Sequence, residues 1–154
     1  MLKNKSSVIG GWLPPPTFTL GETLASRITP RYIDEMTRHE RAAQLWSVLA
    51  LAARMQHILS YELAGRLTGL PRQSVGDFLY PIQDYCLQNN LPPLTALVVS
   101  EQTGLPSEGF IAAQDVLPAQ NRVFVFDWVA RGAPSSEELE RAYRNANHRD
   151  EPIA

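Results

Sequence analysis

The sequence predicts a mainly α domain with one small β element, and three observations predict it. Residues from Pro30 to about Gln56 carry a helical pattern that becomes apolar nearly all round in "AAQLWSVLALAARM". The stretches "HILSYELAGRLTGLP" and "RQSVGDFLYPIQDYC" place apolar residues at helical spacing on both sides of a Gly-containing turn. One short run, Thr95 to Val99, is apolar and β-branched enough to read as a strand.

With 154 residues, the chain has about the length of one ordinary domain. Net charge is only −2, which argues against a general polyanion binder but leaves room for a local basic patch. Lys3 and Lys5 are the only lysines, so the cations are nearly all Arg, the better fork for phosphates and base edges. Codon bias alone can produce that excess. The single cysteine, Cys86, excludes an internal disulfide and any multi-Cys metal site, in keeping with a reducing cytoplasm. Gly10, Gly11 and three prolines interrupt the apolar N-terminal run, so no signal peptide is expected there. No run approaches the roughly 20 apolar residues that span a membrane.

Residues 1–28 read as an extended arm in which Pro14 to Pro16 favour polyproline II. Residues 29–150 read as the folded domain. Thr29 is the expected N-cap of the first helix, with Pro30 at its first position. Trp46 and Leu49 are expected in the core. Ser60 is placed to cap a second helix beginning at Tyr61, with Leu63, Ala64 and Leu67 on one face. Gly69 ends that helix and Pro71 opens the next. The third helix carries Val75, Phe78, Leu79 and Ile82 at helical spacing, and Pro81 is expected to kink or divide it.

Two short helices joined by such a turn form a helix-turn-helix. A strand over Thr95 to Val99 and a returning strand near Gly109 to Ile111 would add a wing. The expected fold is therefore a single winged helix-turn-helix domain, with an additional long N-terminal helix and C-terminal helices. Asp115 to about Phe126 is read as a short helix, with a strand over Arg122 to Phe126 competing. Ser135 and Glu138 form a capping box for a last helix to about Asn147.

Three segments in this order, "ILSYELAGRLTGLPRQSVGDFL", "NNLPPLTALVV" and "TGLPSEGF", carry a resemblance. Over about Ile58 to Phe110 the chain resembles the C-terminal winged-helix domain of the O6-alkylguanine-DNA alkyltransferases and the alkyltransferase-like proteins. The resemblance implies that Tyr61 stands at the family's nucleotide-rotating tyrosine. Val75 and Gly76 match its recognition-helix Val-Gly. Gln73 occupies the place of the Arg finger, with Arg72 beside it and a turn about two residues shorter. Asn89 or Asn90 matches the hinge Asn, and Gly109 and Phe110 match the loop's Gly-Tyr.

The strand departs from the family. Setting Val98 and Val99 on its Val-Val puts Thr95 at the reactive Cys, Ala96 at the His and Leu97 at the Arg. Alkyl transfer needs a thiolate made by a neighbouring base. Thr95 and Ala96 supply neither, and Cys86 lies on the helix before the Asn, where it reads as a small buried hydrophobe. No alkyltransferase activity and no enzyme is expected, and no cofactor.

His39, His57 and His148 are scattered without metal spacing, and neither "GGW" nor "TGLPSEG" is a phosphate loop. Two readings remain. The first is a non-catalytic DNA-binding module using Tyr61, Arg72, Gln73, Ser74 and Asn89. Seven arginines against four acids between Arg27 and Arg72 allow a local positive patch, while Asp77, Asp84, Glu101 and Glu108 oppose phosphates. The second is a protein-interaction or accessory module that kept the winged-helix shape. Its partner would engage the Pro-rich arm or the Phe124–Trp128 segment, because exposed aromatics are common in interfaces.

Overall fold

Helix α1, Arg38–Arg54, starts at a reciprocal cap: the Glu40 amide donates to Thr37 Oγ1 at 3.2 Å and the Thr37 amide to Glu40 Oε2 at 2.7 Å. The computed structural model describes residues 36–111 and 113–147, which fall in one compact unit, Met36–Ala154. The expected arm, Thr29 and Pro30 lie outside the described residues. A continuous helix from Pro30 is not formed: Thr37 is extended, at φ −70° and ψ 162°, and the helix begins after it. At its far end Gln56 takes φ +56°, the Gln56 amide reaches the Ala53 carbonyl and the His57 amide the Ala52 carbonyl. This is a Schellman stop built without glycine.

A two-residue strand β1, Leu59–Ser60, leads directly into α2, Tyr61–Thr68. Ser60 caps α2 as expected, with the Leu63 amide 3.1 Å from its Oγ. Gly69 closes it at φ +70°. Arg41 is buried and donates to the Thr68 carbonyl at 3.2 Å, placing a cation at the negative end of α2. Of the expected inward face of α2, only Ala64 packs into the core. Ala64 and Gly65 are buried, whereas Leu63 and Leu67 are exposed. Gly65 fits because a Cβ there would stand 2.5 Å from the Leu70 carbonyl, so the chain turns too tightly over α2 for a larger residue.

Pro71 does not open the third helix. It caps a 3₁₀ turn, Arg72–Ser74, and α3 follows at Val75–Gln88. The helix runs undivided through Pro81, which is fully buried. It stops at Asn90, φ +53°, where the Leu91 amide returns to the Cys86 carbonyl at 2.9 Å.

The expected strand over Thr95 to Val99 is mostly absent. Leu94–Leu97 form a 3₁₀ turn, and only β2, Val98–Val99, is extended. Nor is there a returning strand at Gly109 to Ile111. Instead β2 pairs in parallel with β1, Leu59 opposite Val98 and Ser60 opposite Val99. Parallel neighbours need a crossover, supplied here by α2 and α3. Residues 100–111 form a hydrogen-bonded loop in place of a β wing.

Helices α4, Val116–Val125, α5, Trp128–Arg131, and α6, Ser136–Asn147, complete the described fold. The Ser135–Glu138 capping box is present in both directions, at 2.8 and 3.2 Å. The core centres on Trp46, which meets Tyr85 and Trp128 edge-on at 5.6 and 5.5 Å between ring centroids. The fold is thus mainly helical with two short parallel strands. No helix among the described residues is long and apolar enough to cross a membrane.

Candidate functional site

The β1–β2 pairing decides where the site lies. It brings Tyr61, the first residue of α2, against the loop that leaves Val99. The Tyr61 hydroxyl accepts a hydrogen bond from the Ser107 amide at 3.2 Å. Gln83 on α3 holds the same loop from below: its Nε2 donates to the Gly109 carbonyl at 3.3 Å and its Oε1 accepts from the Ile111 amide at 3.2 Å. The loop is closed on itself by the Ser100 amide to the Leu105 carbonyl at 2.9 Å, with Gly104 at φ +66°. Gly109 lies flat against Tyr80. A Cβ there would sit 2.5 Å from the tyrosine hydroxyl.

Two adjoining spaces result. An open shelf of about 370 Å³ is lined by Tyr61, Arg72, Gln73, Gly76, Ser100 and Ser107. A small pocket of about 30 Å³ lies beside it under the loop, with Thr95 and Gln83 in its wall, and shares Tyr61, Gly76 and Ser107 with the shelf. The surface above Gly76 is empty, since a Cβ there would meet no atom within 4 Å.

Of the residues singled out in the sequence, the structure brings Tyr61, Arg72 and Gln73 to the shelf, with Ser74 at the start of α3 next to them. Arg72 and Gln73 are exposed and unencumbered by packing. Asn89 is elsewhere. It is the C-cap of α3, about 21 Å of helix away at 1.5 Å per residue, and its Nδ2 donates to the Tyr85 carbonyl at 2.8 Å. Thr95, Gln83 and Ser107 are site residues that sequence reasoning did not select as such. Gln83 and Ser107 carried no local signal; Thr95 was visible only as the residue standing in for the family's cysteine.

Arg72 is the cation in the shelf's lining. On the elements that build the shelf, Arg66 is also exposed, but so are Glu62, Asp77 and Glu108. The expected arginine patch shrinks further, because Arg41 is buried at the end of α2 and Arg38 is turned to Tyr143, 3.2 Å from its hydroxyl. Arg27 and Arg31 lie outside the described residues.

Cys86 is buried and walls a separate cavity with Leu91 and Arg122. Burial pushes its thiol up to about 12, against weaker downward pulls from the Leu94 backbone and the Arg131 charge. Burial of this kind disfavours the thiolate, the nucleophilic form of cysteine. The described residues hold no group of three or more potential metal ligands.

In the Phe124–Trp128 segment Trp128 is buried, and Phe124 and Phe126 are half-buried against the core. Trp128 is 3 % exposed and donates from Nε1 to the Val123 carbonyl at 2.8 Å, while Phe126 packs on it at 4.6 Å. Tryptophan is the largest apolar side chain available to this core, so α5 turns it inward, and the segment exposes Val125 and Asp127. In comparisons with protein-family models, with curated proteins and with solved structures, nothing matches this chain.

Proposed function

We propose that the protein is a non-catalytic DNA-binding module of alkyltransferase-like type, in which α2, the 3₁₀ turn and α3 act as a helix-turn-helix and the 100–111 loop takes the place of a wing. The observation that carries this reading is the convergence of Tyr61, Arg72, Gln73 and the bare surface of Gly76 on one open shelf. An Arg beside a Gln supplies hydrogen bonds to phosphate and to base edges. Tyr61 supplies a ring on which a base can stack. A threonine in the pocket and a protonated, buried Cys86 support the absence of alkyl transfer.

Binding should be weak, because few cations reach the shelf. Two helix-turn-helix arginines, Arg66 and Arg72, give a salt slope of about −2 on a log–log plot, at roughly −0.9 per phosphate contact. Affinity near physiological salt then falls in the micromolar range of non-specific binding, on the order of 10⁻⁴ to 10⁻⁶ M. The test is fluorescence anisotropy on plain and lesion-bearing duplexes at two salt concentrations, with Arg72→Ala alongside. The expected result is salt-sensitive binding that the variant weakens and whose slope it reduces by about one contact. No binding of either duplex in low salt at about 50 micromolar protein, well inside that range, would remove the DNA reading.

The second reading, a protein-interaction module, has one observation in its favour. Leu117, Val125 and Val129 on α4 and α5 are 73 %, 83 % and 73 % exposed. Large apolar side chains left so open on neighbouring helices are what a protein partner would cover.

A further inference from the structure

A second cavity lies away from the shelf and shares no lining residue with it. It opens between the end of α3, the 91–93 turn and α4, and holds about 320 Å³. At about 30 Å³ for each water-sized group, that is room for roughly ten non-hydrogen atoms. Much of its lining is apolar. Cys86 and Pro93 are buried, Leu91 and Pro92 half-buried, and Leu87 is 45 % exposed.

Polar groups decide what such a cavity can hold, and the backbone here offers a ligand no free amide. Pro92 and Pro93 have none to offer. The Leu91 amide bonds the Cys86 carbonyl at 2.9 Å, and the Asn90 amide bonds the Leu87 carbonyl at 3.4 Å. The amides of Cys86, Leu87 and Arg122 lie inside α3 and α4, where the helical ladder uses them. Two side chains are left. The Arg122 guanidinium and the Asn90 side-chain amide both line the cavity, and neither has a hydrogen bond or ion pair to another described residue. No acidic residue is in the lining. The cavity thus carries a cation without a countercharge.

We infer that this cavity binds a small monocarboxylate of up to about ten non-hydrogen atoms. Arg122 takes the carboxylate in its fork, the Asn90 amide donates to one of its oxygens, and Leu87, Leu91 and Pro93 cover the apolar body. Charge complementarity selects this occupant. A carboxylate only accepts hydrogen bonds, which suits a lining whose free donors are a guanidinium fork and an amide. A cationic ligand would meet Arg122 as a like charge, and a neutral one would leave the guanidinium unmatched. The inference does not rest on the DNA reading, and its failure would leave that reading untouched.

The experiment follows the isotopically labelled full chain by amide NMR while it is titrated with hexanoate, hexanamide, hexylammonium or acetate. Low salt keeps the ion pair from being screened. Hexanoate should shift the amides of Leu87, Asn90, Leu91 and Arg122 and saturate, with a Kd on the order of a millimolar for so small a ligand. Hexanamide, the same shape without the charge, should bind about fivefold more weakly, the upper end of what an exposed ion pair gives. Acetate has no methylenes to lay on Leu87 and Pro93 and should bind roughly tenfold more weakly. Hexylammonium should not bind. Arg122→Gln should weaken hexanoate about fivefold and leave hexanamide where it was, which shows that the cavity still stands. N-acetylvaline separates two sources of the carboxylate: binding tighter than hexanoate marks the C-terminus of a peptide, and weaker binding marks a free acid. Hexanoate bound no better than hexanamide or acetate, or held undiminished by Arg122→Gln, would overturn the inference. So would the absence of any saturable shift by about 20 mM, well above the Kd expected.

Discussion

Tyr61 and Ser107 are joined by a 3.2 Å hydrogen bond from the Ser107 amide to the tyrosine hydroxyl, which ties the first turn of α2 to the loop over the pocket. One side chain thus has two parts with separable tasks. The hydroxyl holds the loop; the ring lines both the shelf and the pocket. Tyr61→Phe should remove the first task and keep the second. The expected cost is about 0.5–1.5 kcal/mol of stability, the net worth of an intramolecular hydrogen bond. Affinity for a duplex with a flipped or damaged base should change by less than about twofold, whereas Tyr61→Ala should weaken it by the worth of a stacking contact, roughly 1–3 kcal/mol, and weaken plain-duplex binding less. Chemical denaturation and anisotropy measure the two effects. A phenylalanine variant that loses binding as fully as the alanine one would mean that the hydroxyl, not the ring, meets the nucleic acid.

The same bond shows which parts of the molecule were readable from the sequence. Features decided within a few residues were readable. Ser60 caps α2, the Ser135–Glu138 box opens α6, Gly69 closes α2, and Trp46 and Leu49 are core. Stops built without glycine were not. Gln56 and Asn90 enter the left-handed region because two backbone hydrogen bonds hold them there; asparagine is a known non-glycine choice for that place, but glutamine does not advertise it. Thr95 to Leu97 are apolar and partly β-branched, yet they turn in a 3₁₀ helix. The pairing with β1 is only two residues long and leaves them no strand to join. The site was half readable for the same reason. Tyr61, Arg72 and Gln73 sit at local signals, a cap and a turn. The Gln83 and Ser107 contacts span 26 and 46 positions of chain, and no window of sequence contains them.

Cys86 gives a prediction about pH. Its thiol is pushed up to about 12 by burial, from an ordinary value of 9.0. Between those values the unfolded chain has released the proton and the folded one retains it. Stability from this group is therefore complete below pH 9 and declines as pH rises toward 12, by up to about 1.4 kcal/mol per unit. Other groups titrate in that range, so the quantity to measure is the difference between the protein and Cys86→Ala. Denaturant unfolding at several pH values from 8 upward should show the parent losing stability faster than the variant. Parallel curves would place the thiol in contact with water. By the same argument a thiol reagent at pH 8 should label Cys86 only as fast as the protein unfolds.

Gly76 yields the sharpest opposition between stability and binding. It occupies the first turn of α3, where glycine is a poor choice for a helix and no positive φ requires it. Nor does packing require it, since an added Cβ would meet nothing within 4 Å. Alanine there should stabilise the fold by about 0.5–1 kcal/mol, through a better helix residue and a less disordered unfolded chain. The melting temperature should rise by a few degrees, as about 1 kcal/mol does in a domain of roughly this size. Yet Gly76 lines both the shelf and the pocket, and the new methyl would project into the space a bound ring needs. Gly76→Ala should therefore melt higher and bind DNA less well, with the affinity falling at least about threefold, by analogy with the 1–3 kcal/mol that a single methylene can decide in a shaped site. Thermal melting and anisotropy on the same preparation decide it. A variant that melts lower would contradict the open surface above Gly76. One that melts higher and binds as before would show that DNA, if bound, does not use the shelf.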